Sequence, residues 1–98
     1  MSEPIIVSGF VIAPSVNLAG ANLAGANLAG VNLEGANLER ANLAEANLEG
    51  ANLERANLNG ADLYGTNLRG ANLKWAYLHR SDLVGADTAG ASGLTKQS

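Results

Sequence analysis

The one stretch where this monotonous chain gathers varied side chains that could do chemistry is "YGTNLRGANLKWAYLHRSDL", residues 64 to 83. His79 is the only histidine, with Ser81 and Asp82 just beyond it. Nucleophilic catalysis would need serine, base and acid to converge, each within hydrogen-bond reach of the next. Ser81 and Asp82 instead fill ordinary positions of a repeat, so the chain is read as non-catalytic. One histidine and no cysteine exclude the usual zinc centres. Asp62 and Asp82 could share a calcium ion only if the chain came back on itself at their spacing. Asp standing in for Asn at one slot accounts for both, and no metal or cofactor is expected. Tyr64, Arg69, Lys74, Trp75, Tyr77, His79 and Arg80 remain. Trp, Tyr and Arg dominate binding hot spots, so these seven are the candidate protein-interaction residues. The competing reading has them shielding the end of the repeat where it degenerates.

Composition narrows the function further. The chain has 98 residues, one domain by length. It is 47% hydrophobic but only 4% aromatic, so its core must be built from Ala, Leu and Val. A net charge of -3 speaks against non-specific nucleic-acid binding. Asn or Asp interrupts the apolar pattern too often for a membrane span. The start "MSEPIIVSGFVIAPS" lacks a basic lead and is broken by Pro4, Gly9 and Pro14, so it is not read as a signal peptide and a cytoplasmic location is expected.

The elements that position the candidate residues follow from a period of five. From Val16 the chain reads VNLAG, ANLAG, ANLAG, VNLEG, ANLER and so on, with Leu in the third place from Leu18 to Leu83. On a helix, at about 100° per residue, a step of five spreads these leucines around every side. On a flat strand it flips them between faces. Only a chain that turns once per repeat can aim every Leu at one axis. The fifth place favours Gly, which tolerates a positive φ at a corner. Arg40, Glu45, Arg55, Trp75 and Arg80 in that slot imply that the corner does not demand Gly. Asn or Asp in the second place can bond the nearby backbone at the turn.

A small residue, Asn or Asp, Leu, and two variable residues resembles the motif of the pentapeptide-repeat family. The resemblance is close over residues 16 to 85 and weak over 86 to 95, and Tyr77 alone breaks the second place before Leu83. It implies an all-β fold, a right-handed quadrilateral β-helix of about four coils of four pentapeptides. Residues 1–15 are then an N-terminal cap, 16–91 the β-helix and 92–98 a disordered C-terminal tail. Residue i would lie over i+20, which puts Glu49 over Arg69, Glu54 over Lys74, and Arg55 over Trp75 for a cation–π contact. Glu34 over Glu54 would be a like-charge pair. In the cap, Ile6 and Val11 fall in the inward register, and Ile5, Val7, Phe10 and Ile12 are free to cover the open edge. The C-terminal end has no such plug, which predicts end-to-end homo-oligomers.

The function expected on these grounds is a structural or protein-interaction module of unnamed partner, without direct nucleic-acid or membrane contact. The resemblance also implies an alternative, since some family members are DNA-mimicking proteins that bind DNA gyrase and protect it from quinolones or gyrase-directed toxins. This chain shares the repeat and the mild negative charge with them, but no C-terminal dimerisation helix can be recognised.

Overall fold

The computed structural model describes residues 3–94. It begins with a hairpin of two strands, β1 (Ile5–Val7) and β2 (Phe10–Ile12), paired antiparallel with Ile5 opposite Ile12 and Val7 opposite Phe10. Ser8 and Gly9 close it at φ of 53° and 84°. A two-residue loop with both φ values positive is the turn whose twist matches the flanking strands. Side chains alternate across a strand, and this period of two replaces the period of five. Ile12 is therefore buried, and Val7 and Phe10 pack against the core. Ile6 and Val11 point outward and are about half exposed. The inward placement expected for Ile6 and Val11 is thus corrected, because the hairpin's own pairing sets which face meets the core.

From Val16 the backbone is a β-helix. Asn17 bridges Asn37 in parallel, Asn37 bridges Asn57, and equivalent bridges run at the same interval to Asn72 and Ser92. One circuit is therefore twenty residues, and neighbouring circuits lie about 4.8 Å apart, as adjacent strands do.

The repeat of 41–45 shows why the unit has five residues, since each of its backbone N–H groups has a different partner. Ala41 N–H closes a turn onto Leu38 O at 3.0 Å. Asn42 N–H reaches back one circuit to Ala21 O at 2.8 Å, while Leu43 and Glu45 N–H reach forward to Asp62 O and Tyr64 O, both at 2.8 Å. The fourth, Ala44 N–H, is taken by the side chain of Asn42, through Oδ1 at 3.0 Å. Buried or half-buried backbone donors must be paired, and here the Asn side chain supplies the one acceptor that the stacked backbone lacks. That is the physical reason for Asn or Asp in the second place.

The fifth residue always has a left-handed backbone. The repeat glycines have φ of 65° to 75°, and Arg40, Glu45, Arg55, Trp75 and Arg80 have φ of 59° to 63°. The corner therefore does demand this conformation, whatever side chain fills it, and each non-glycine residue holds it at a cost of about 1–2 kcal/mol.

Leucines fill the interior. Leu23 to Leu73 are at most 1% exposed, and the small first-place residues between them are buried as well. Thr66, in a place mostly held by Ala, is fully buried and satisfies its hydroxyl on Leu43 O at 2.7 Å. Beyond Leu73 the packing loosens, and Leu78, Leu83, Ala86, Ala91 and Leu94 are only partly buried.

The circuit register runs past the boundary at 91 expected from the sequence. Ser92 N–H donates to Ala71 O at 2.9 Å, and Ser92 O accepts from Leu73 N–H at 2.8 Å. Backbone pairing needs no particular side chain, so the loss of the motif does not end the ladder there. At Gly93 a Cβ would collide with the backbone of Leu73 and Lys74, which accounts for Gly where other repeats have Leu. Residues 95–98 of the expected tail lie outside the described residues.

Candidate interaction surface

The twenty-residue register distributes the seven candidate residues around the rod. Tyr64 stands above Ala44 and below Val84 in one column, and Arg69 above Glu49 in the next. Lys74 and Trp75 continue the columns of Glu54 and Arg55. Tyr77, His79 and Arg80 belong to the following repeat, across the corner from Trp75. The aromatic side chains are strongly exposed: 50% for Tyr64, 71% for Trp75 and 61% for Tyr77. Trp75 and Tyr77 are thus brought to one edge. Tyr64 and Arg69 are not part of it.

The charged residues keep the expected register but choose other partners. Arg55 does not lie on Trp75. Its guanidinium turns back to Glu54 at 3.0 Å and Glu34 at 3.6 Å. It thereby separates the two glutamates whose stacking would repel. Arg69 turns forward to Asp87 at 3.2 Å instead of back to Glu49. The Asp87 carboxyl is held below its ordinary pKa, first by the Ala89 N–H bond and then by Arg69. All three contacts lie at the surface, where solvent screens them and little stability is gained. Among the described residues Arg40, Lys74 and Arg80 have no ion-pair partner.

Tyr77 leaves a turn without its Asn acceptor, and the structure repairs it from one circuit below. His79 N–H donates to Oδ1 of Asn59 at 2.8 Å. Asn59 stands in the fourth place, where no other repeat carries Asn. The pairing was legible as two departures from the motif separated by one circuit, but only the known register connects them.

Asn59 also lies in a groove that sequence reasoning missed. It is lined by Glu39, Arg40, Asn59, Gly60, His79 and Arg80 and encloses about 350 Å³. Three successive circuits contribute two residues each. The signal in the sequence was Arg in the glycine slot at positions 40 and 80, with Gly60 between them.

Asp62 and Asp82 do face each other across adjacent circuits. Their Oδ1 atoms accept the N–H groups of Tyr64 and Val84, both at 3.0 Å, in the role that Asn has elsewhere. Among the described residues no three His, Asp or Glu side chains group as a metal site.

The family model for pentapeptide repeats, in eight copies, matches residues 17–55 and 36–74. No curated protein matches the chain. Among solved structures, a pentapeptide repeat protein from the Arabidopsis thaliana thylakoid lumen is similar, with 34% identity and a TM-score of 0.77. That match covers 79% of this chain and 53% of the other. The pentapeptide repeat protein Rfr23 from the cyanobacterium Cyanothece 51142 is 40% identical over 80% of this chain and 60% of its own, with a TM-score of 0.46. One from Nostoc Pcc 7120 is 40% identical over 74% of this chain and 64% of its own, also with a TM-score of 0.46. The chain thus spans between about half and two thirds of the length of these proteins. With the repeat, the ladder and the turn all accounted for, the chain belongs to the pentapeptide repeat family and is a right-handed β-helix.

Proposed function

We propose that this chain is a non-catalytic protein-interaction module, a four-sided rod of about four coils that docks a partner protein through the edge of Trp75 and Tyr77. The observation that carries this reading is Trp75 itself. It is 71% exposed and sits at φ 62°, so the largest apolar side chain of the molecule occupies a strained corner where Gly would be relaxed. Burial of an exposed Trp by a partner is worth a large share of a binding hot spot, and Lys74 beside it, without an ion-pair partner among the described residues, adds a cation.

The test uses two substitutions that restore the repeat motif, Trp75→Gly and Tyr77→Asn. The doubly substituted chain melts at or above the native temperature, because Gly relaxes the corner, and proteins captured by the native chain from a lysate of its source organism are lost. An unchanged set of captured proteins refutes the reading. The half-buried circuit beyond Leu73 is the surface on which end-to-end self-association would act, and a mass independent of concentration in light scattering overturns that part. A DNA mimic directed at gyrase presents a free acidic face; here Glu34, Glu54 and Asp87 are paired with Arg55 and Arg69, while Glu39, Glu45 and Glu49 have no ion-pair partner among the described residues.

A further inference from the structure

The groove of Arg40, Gly60 and Arg80 is the second place where the molecule accepts strain without a structural return. Arg40 and Arg80 hold φ of 59° and 63° in a slot where Gly is unstrained, and neither makes an ion pair among the described residues. Two circuits separate them, roughly 10 Å along the rod. Between them Gly60 has no side chain, and Arg40 leans over it. Its Cγ comes within 3.2 Å of where a Gly60 Cβ would be. Asn59 lines the groove beside Gly60; its Oδ1 is engaged by His79 N–H, and its amide Nδ2 has no partner among the described residues. Two arginines and an asparagine thus line one open groove, against a single acid, Glu39, which is not ion-paired to either arginine among the described residues.

We propose that this groove binds an oxyanion, a phosphoryl or carboxylate group, held between Arg40 and Arg80 and reached by the Asn59 amide. Guanidinium groups present paired donors that match either anion. The site does not depend on the Trp75 edge.

The experiment is a nitrogen–proton NMR titration of the full chain with sodium phosphate and, separately, sodium acetate, each against sodium chloride at equal ionic strength. Saturable shifts confined to Arg40, Asn59, Gly60, His79 and Arg80 are expected. Phosphate alone producing them assigns a phosphoryl ligand, acetate producing them equally assigns a carboxylate, and neither producing them overturns the proposal. Shifts that chloride reproduces also overturn it. Arg40→Gly and Arg80→Gly should each weaken binding about tenfold or more while melting at or above the native temperature, because Gly relaxes the corner. If both variants melt lower, the arginines are wall supports and the site is refuted. Trp75→Gly should leave the titration unchanged, which keeps this outcome separate from that of the docking edge.

Discussion

Two edges of the rod perform the same turn with different residues. One runs through Gly30, Gly50, Gly70 and Gly90, with φ between 68° and 74°. The other runs through Gly20, Arg40, Gly60 and Arg80, with φ between 59° and 70°. The backbone is nearly the same, so the geometry of the corner does not explain the arginines. A side chain at the corner leans toward the next circuit, and the space it takes is what the next glycine leaves open. Glu45 repeats the arrangement, since its Cγ lies 3.2 Å from a Cβ built on Gly65. Trp75 can follow Arg55 because Arg55 turns the other way, back to Glu34 and Glu54. The difference between the edges separates what the fold requires, a positive φ, from what it only tolerates, a strained side chain with an outward reach.

The largest effect expected is common to both edges. Leu48→Asp places an unpaired carboxyl in the fully buried column and should abolish the cooperative melt seen by circular dichroism. An unchanged melting curve would break the assignment of the leucines to the interior.

The edges themselves are separated by Gly60→Arg and Gly50→Arg. Both should lose about 1–2 kcal/mol to left-handed strain. Gly60→Arg must also displace Arg40, whereas a Cβ on Gly50 meets nothing within 4 Å. Denaturant unfolding should therefore show the greater loss at Gly60, and placing both substitutions in an Arg40→Gly background should bring their losses to equality. Equal losses without that second change would refute the leaning of Arg40 over Gly60.

A smaller effect checks the repair of the Tyr77 turn. Asn59→Ala leaves His79 N–H without its acceptor and should cost about 1 kcal/mol. In the Tyr77→Asn background the same substitution should be nearly neutral, because the local acceptor is restored. Additive losses would show that Asn59 acts elsewhere.

The smallest effect is on acid stability. The Asp87 carboxyl is held below its ordinary pKa when folded, so its contribution is complete above the unfolded value and fades as pH falls through the lowered folded one. Asp87→Asn keeps an oxygen for Ala89 N–H but removes the charge toward Arg69. The melting temperature should then fall slightly less steeply on acidification than in the native chain. Parallel curves would place the Arg69 contact outside the folded-state energetics.

Much of the fold could be read from the residues because a period of five leaves few solutions. Leu18 to Leu73 point inward as the repeat implies, and the Asn slot caps its own turn. The readings that failed have physical causes in common. Ile6 and Val11 follow the period of a hairpin, which the repeat does not announce. Arg55 and Arg69 had the right neighbours in register, yet a long side chain selects among acids on both sides, and register alone does not choose. The corner looked permissive because five non-glycine residues occupy it, whereas those residues bear the same φ as Gly at a cost. The groove was hidden because Arg40, Asn59 and Arg80 are remote in sequence and meet only by stacking.

The opening stretch of aromatic and basic residues belongs to both levels. Local sequence by itself determined that the chain turns once every five residues and that leucine fills the axis, because spacing and residue type settle those points. The tertiary structure alone decided that Trp75 stands exposed on a strained corner, that Asn59 serves the turn of His79, and that Arg40 and Arg80 line one groove. Each of these depends on which atoms of one circuit meet those of the next, and that is set by stacking and side-chain direction.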